Sequence, residues 1–193
     1  MTFNGISWGY VDSAQAVPYS YNAQGILKML STAASGGGNL LLNIGPAPDG
    51  SAPAEAVEPL TTVGRWLERN GECAYGKLDR SKYGACNGVC SVSAKGRTLY
   101  LWNWIWPRGG EIVLGGFGSK LKAARIVDGG RPVEFAQEGW RIYLKNLPAQ
   151  SPDPVAGVAV LALEFEDDLA FTSFPNRPAL NNGREFDAPV FRK

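Results

Sequence analysis

The spacing of apolar residues changes character once along this chain, near Tyr75, and that change limits the folds open to it. Before it, Phe3 to Tyr10 is a run of β-formers that ends in a loop through Asp12, Ser13 and Pro18. From about Tyr21 to Ala34, the residues Ile26, Leu27, Leu30 and Ala34 recur at three- and four-residue spacing, which predicts an amphipathic helix. Gly36-Gly37-Gly38 predicts its end. Asn39 to Ile44, written NLLLNI, is a continuous apolar run of the kind seen in parallel strands covered on both faces. Gly45 to Gly50 is a turn-rich loop. Ser51 is placed to cap a second helix running to about Asn70, with Pro53 in its first turn and Val57, Leu60, Val63 and Leu67 on its buried face. Asn70-Gly71 predicts the stop.

Strand, helix, strand, helix is the unit of an α/β fold. Two units cannot close a parallel barrel, which takes eight, so this region reads as the tail end of something larger. After Tyr75 come short β-prone runs: Gly88–Ser93, Thr98–Trp104, Glu111–Leu114, Lys122–Val127, Pro132–Phe135, Trp140–Leu144 and Val155–Phe165. Turns rich in Gly or Pro, among them Asp128-Gly129-Gly130, separate them at the intervals of an antiparallel sandwich. Within the second run Tyr100, Trp102 and Trp104 share one face. Leu169 to Lys193, with three Pro and an Asn-Asn-Gly, reads as an irregular tail.

Composition removes several chemistries. The chain has no His, so it holds no Ser-His-Asp or Cys-His pair and no His metal ligand. With 19 Lys plus Arg against 18 Asp plus Glu, it has no basic stripe to neutralise phosphates, which argues against nucleic acid as a partner. Cys73, Cys86 and Cys90 leave at least one thiol unpaired. A loop bridge between two of them is open, and three thiolates without His make a poor zinc set. The longest apolar stretch, Val155 to Leu163, is far short of the roughly 20 residues that span a bilayer, so no membrane segment is expected. The polar-aromatic opening does not have the pattern of a signal peptide, so none is expected ahead of the first β run in this sequence.

Three motifs carry a resemblance. Gly36 to Pro46, followed by Asp49-Gly50, resembles the GGNLLLNIGP-x-x-DG signature of glycoside hydrolase family 29 α-L-fucosidases. Trp66-Leu67, Asn70-Gly71-Glu72 and Ala74-Tyr75-Gly76 are similar to that family's WL-x-x-NGE-x-x-YG, and Met1 to Asn4 with Ser7 to Tyr10 to its MT-x-N…SWGY. The resemblance covers residues 1 to about 76; residues 77–166 fit the family's C-terminal sandwich in length and pattern.

The resemblance implies a fold and an activity. The fold is an α/β fragment of a (β/α)8-like barrel (residues 1–76), then an antiparallel β-sandwich (77–166) and a tail (167–193). The activity is release of α-L-fucose from glycans by the retaining route, which needs two carboxylates about 5–5.5 Å apart and no metal or organic cofactor. In the family the nucleophile Asp, the acid/base Glu and the fucose-gripping histidines precede the MT-x-N…SWGY segment. No catalytic residue is therefore expected here, in agreement with the missing His. The family is often secreted, periplasmic or lysosomal.

For substrate-binding residues the resemblance implies Trp8, whose family counterpart lines the fucose pocket, against the alternative of a core aromatic. Asn43 ends a strand at the face where barrel active sites gather, either touching substrate or tying down the Gly45-Pro46 loop. Among local acids, Asp49 fits a turn, Glu55 and Glu58 a helix's first turns, and Asp12 alone follows the SWGY segment. Three roles remain: an incomplete fucosidase, a carbohydrate-binding module using Tyr100, Trp102, Trp104 and Trp106, or a subunit whose barrel another polypeptide completes. The expected partners are a fucosylated glycan, and the missing barrel half or a second copy. Exposure of the tryptophans discriminates the second role.

Overall fold

The computed structural model describes residue 2 and residues 7–12, 21–81, 83 and 90–171. Helix α1 spans Ala23–Ser35. The Asn22 side chain accepts the Gly25 amide at 2.8 Å, satisfying one of the N-terminal donors that a helix leaves open. At its other end Gly38 N–H donates to Ala33 O (2.9 Å) and Gly37 N–H to Ala34 O (3.0 Å). Gly37 takes φ +69° there, the left-handed turn that closes helices and that a side chain would strain.

Helix α2 spans Ala54–Asn70 and departs from expectation at two points. Its N-cap is Pro53, with no side-chain cap, and Ser51 lies ahead of it in a turn where its amide and hydroxyl donate to Asp49 Oδ1 at 3.0 and 2.7 Å. Its buried face is Ala56, Pro59, Val63, Trp66 and Asn70, while Val57 is exposed and Leu60 and Leu67 only half-buried. The stripe is turned because Trp66, the largest apolar side chain of the helix, takes the centre of the interface.

Seven strands follow: β1 Cys90–Lys95, β2 Thr98–Asn103, β3 Ile112–Gly115, β4 Leu121–Ile126, β5 Glu134–Glu138, β6 Arg141–Lys145 and β7 Ala159–Phe165. All their pairings are antiparallel, in one sheet ordered β1-β2-β7-β4 and another ordered β3-β6-β5. Strand alternation sorts the four-stranded sheet into two faces. Val92, Leu99, Leu101, Leu161, Leu163 and Phe165 point at the second sheet, meeting Leu114, Ile142 and Leu144 to form the sandwich core. Tyr100, Trp102, Val160 and Ala162 point the other way, onto Ile26 and Leu27 of α1 and Val63 and Trp66 of α2.

That second face is tied as well as packed. Trp66 and Trp102 rings lie 5.0 Å apart, and Trp66 Nε1 donates to Val158 O at 2.8 Å. Trp102 Nε1 donates to Ser93 Oγ (3.0 Å), which in turn donates to Cys73 O (2.7 Å). Arg125 reaches Glu72 at 2.6 Å, and Arg69 reaches Asp128 at 2.8 Å. The first residues of the tail pack too, with Phe171 stacked on Tyr83 and bridged to Phe117; residues 172–193 lie outside the described residues.

The two apolar runs ahead of the helices behave differently from the sandwich strands. Of Phe3–Tyr10 only residues 7–10 are described, and they are irregular. Among the described residues Asn39–Ile44 forms no regular strand, and a parallel bridge joins Thr2 to Asn43. Cys90 is disulfide-bonded, Cys73 is a buried free thiol, and Cys86 lies outside the described residues. Among the described residues no helix is long and apolar enough to cross a membrane.

Candidate functional site

Asn43 Nδ2 donates to the Trp8 carbonyl at 2.8 Å, joining the NLLLNIGP segment to SWGY. Next to that bond the two backbones touch. A Cβ built on Gly45 would lie 2.3 Å from the Gly9 carbonyl carbon and oxygen and 2.5 Å from Tyr10 N, so only a glycine fits. Each motif thus carries a glycine at the point of closest approach. The pair was readable as Ser-Trp-Gly-Tyr and Ile-Gly-Pro in the sequence, though not as a contact. The Gly9 amide donates to Ser7 Oγ at 3.1 Å, turning the chain immediately after Trp8.

The result is a fixed backbone under an exposed ring. Trp8 is 61% exposed and Tyr10 43% exposed. An indole in this position offers a flat apolar face with a polar N–H at its edge, which suits the mixed C–H and hydroxyl surface of a sugar. The two residues singled out from sequence, Trp8 and Asn43, are therefore brought together, with Asn43 gripping the backbone of Trp8.

Three of the acids weighed for the site, Asp49, Glu58 and Glu72, have other attachments. Asp49 holds its own turn through Ser51, whose hydroxyl and amide keep the Asp49 carboxyl below its ordinary pKa. Glu58 accepts from Thr62 Oγ1 at 3.1 Å, and Glu72 is paired with Arg125. Glu55 is exposed in the first turn of α2, where the helix dipole favours it. Asp12 is exposed beyond the SWGY segment. Among the described residues no group of three or more His, Cys, Asp or Glu could hold a metal ion.

The aromatic face of β2 is no solvent-facing platform. Trp102 is wholly buried and Tyr100 is 6% exposed, both against the helices. Trp104 and Trp106 are half-buried, their indole N–H groups donating to Ser91 Oγ (2.8 Å) and Pro148 O (2.7 Å). Alternation alone could not separate a face that meets solvent from one that meets helices. The third motif is also structural: a Cβ on Gly71 would lie 2.6 Å from the Tyr75 ring, which lies over that glycine.

Comparison with known proteins decides what these motifs belong to. The family model for alpha-L-fucosidase matches residues 1–72. Plasma alpha-L-fucosidase of Homo sapiens is 30% identical over 158 residues, covering 76% of this chain and 33% of that protein. The chain belongs to the α-L-fucosidase family. It spans a third or less of the length of the curated relatives it matches. Among solved structures, alpha-L-fucosidase isoenzyme 1 from Paenibacillus thiaminolyticus superimposes with a TM-score of 0.74 at 27% identity, covering 86% of this chain and 39% of that one. The Thermotoga maritima alpha-fucosidase in complex with fucose shares the fold, with a TM-score of 0.70 and 24% identity over 84% of this chain and 38% of that one. As a member of this family, the chain is a fragment of an α/β barrel followed by an antiparallel β-sandwich.

Proposed function

We propose that this chain contributes the end of a barrel that hydrolyses terminal α-L-fucosyl linkages in glycans by a retaining double displacement, and that it is inert without the rest of that barrel. Residues 1–76 form the barrel part, 77–166 the sandwich and 167–193 the tail. The observation that carries this reading is the Asn43–Trp8 hydrogen bond, which unites two family motifs under an exposed indole. In this arrangement the Trp8 ring packs on the apolar side of fucose and Asn43 fixes the ring's backbone from below.

In the retaining route one carboxylate attacks the anomeric carbon while an acid protonates the departing oxygen. The acid, now a base, then takes a proton from water as that water displaces the enzyme carboxylate. Both groups must flank one sugar, about 5–5.5 Å apart. Of the acids weighed for this role, Asp49 is bonded to Ser51, Glu58 to Thr62 and Glu72 to Arg125. The nucleophile and the acid/base residue are accordingly assigned to the part of the family barrel that this chain does not carry.

Hydrolysis of a chromogenic aryl α-L-fucoside by the purified chain, beside a full-length family member, tests the proposal. A folded, monodisperse sample with no turnover supports it. Turnover that disappears on Asp12→Asn while control substitutions retain it would place the chemistry within this chain and overturn it.

A further inference from the structure

The motif Asn70-Gly71-Glu72 has no part in the Trp8–Asn43 site, yet its first two residues carry a chemistry of their own. In an Asn-Gly pair the glycine nitrogen, with no side chain to hinder it, can attack the asparagine side-chain carbon and expel ammonia. The fold demands both residues here. Asn70 ends α2 fully buried, and its Nδ2 donates to the Trp66 carbonyl at 3.2 Å. At Gly71 any Cβ would meet the Tyr75 ring at 2.6 Å.

The same fold keeps the pair from reacting. The Gly71 amide donates to Leu67 O, so its hydrogen is engaged. A ψ of 4° at Asn70 eclipses the Gly71 nitrogen with Asn70's own nitrogen, whereas ring closure needs it on the side of Cβ. Among the described residues Asn70 Oδ1 accepts no hydrogen bond, so no donor polarises the carbon to be attacked. Complete burial of the side chain also keeps out the water that the second step consumes.

We propose that Asn70-Gly71 is a latent self-modification site, silent in the folded chain and active once the α2 end opens. The Gly71 nitrogen loses its proton and bonds to Asn70 Cγ, while the Cγ–Nδ2 bond breaks and Nδ2 leaves as ammonia. Water then opens the resulting succinimide at either carbonyl, giving aspartate or isoaspartate. One water enters and one ammonia departs, with no oxidant or cofactor. Neither product fits the site. A carboxylate there is an unpaired buried charge, with only acceptor oxygens where Nδ2 had donated to the Trp66 carbonyl. Isoaspartate lengthens the backbone between α2 and the 3-10 turn Gly71–Cys73. Opening of this joint therefore becomes a one-way loss, and the chain's lifetime is set by how often it opens.

The test follows amide loss at Asn70 in the full chain, folded or unfolded in guanidinium chloride, at one temperature and pH. Mass spectrometry of the peptide Met29–Lys77, released by a lysine-specific protease, gives the readout. Expected is a rate at least about tenfold slower in the folded chain, because reaction must await opening. After ageing in denaturant, the refolded fraction should contain only chains that keep Asn70. Asn70→Ser, which cannot form the ring, should hold its refolding yield through the same ageing. The Asn-Gly pairs at 87–88 and 182–183 are common to both chains, so the comparison isolates position 70. The rate comparison uses the parent alone and decides the matter if that variant does not fold. Equal rates in the two states, or aged chains with aspartate at position 70 that refold to the parent's unfolding midpoint, would overturn the proposal.

Discussion

Two stretches of this chain read almost alike and end in opposite surroundings. Strand β7, AVLALEF, and the run NLLLNI are both short and largely apolar. In β7 every residue but Glu164 is buried, because β2 and β4 flank it and its two faces meet the second sheet and the helices. In NLLLNI, Leu42 and Ile44 find the helix-side cluster while Leu41 stands 68% in solvent. An apolar run states a demand for cover on both faces. The rest of the chain decides whether the demand is met, and only the sandwich half of this chain meets it.

Breaking the covered side should cost most. Trp102→Ala removes the ring that meets Trp66 at 5.0 Å in a fully buried setting, and is expected to lower stability by about 3–5 kcal/mol in urea denaturation. The sharpest form of the contrast is a matched pair. Leu161→Ala, in the middle of β7, should cost about 2–5 kcal/mol. Leu41→Ala should cost under about 0.5 kcal/mol in the chain by itself, since its side chain is already in water. Equal losses at the two positions would mean that Leu41 is covered in solution.

Smaller effects probe the polar ties of the covered face. Ser93→Ala strands the Trp102 indole N–H and the Cys73 carbonyl, an expected loss of about 1–3 kcal/mol. Cys73 gives a pH signature. Burial first, and the Glu72 charge second, push its thiol well above the ordinary 9.0. Below that pH both folded and unfolded chains keep the proton, and the contribution is fully present. As pH rises past 9.0 the unfolded chain ionises while the folded one resists, so stability falls. Half-buried Tyr83 and buried Tyr100, both raised above 10.0 chiefly by desolvation, add to the loss at higher pH. Comparing Cys73→Ala with the parent at pH 8 and pH 10 should show a shallower decline in the variant. Least of all, Glu72→Gln should change the unfolding free energy by under about 1 kcal/mol, because the Arg125 pair is more than a third exposed.

Much of the architecture was legible because local rules agreed with one another. Three- and four-residue spacing located α1 to within two residues at either end, and alternating runs bounded by Gly located the sandwich strands. The helix-facing stripe of α2 was missed because Ala56, Pro59 and Asn70 do not look apolar enough to compete with Val57 and Leu67, yet the bulk of Trp66 turns the helix toward them. The expected Ser51 cap did not form because the helix begins only at Ala54, behind Pro53, which leaves Ser51 in the turn held by Asp49. Of the candidate site, the motifs singled out Trp8 and Asn43. The hydrogen bond between them and the Gly9–Gly45 contact were not legible, since they join positions 35 or more residues apart and depend on how the segments meet.

The four-stranded sheet also bears on how such a protein can be recombined. Its residues alternate between two owners: Leu99 and Leu101 serve one core, Tyr100 and Trp102 the other, along a single strand. A crossover placed in the connector near Tyr75 looks like a clean seam in the gene, but it would part Trp66 from Trp102 and Glu72 from Arg125. A transplanted sandwich would have to arrive with a helix-facing side already fitted to its new host. The heritable module is therefore the pair of helices together with the sheet they lie on.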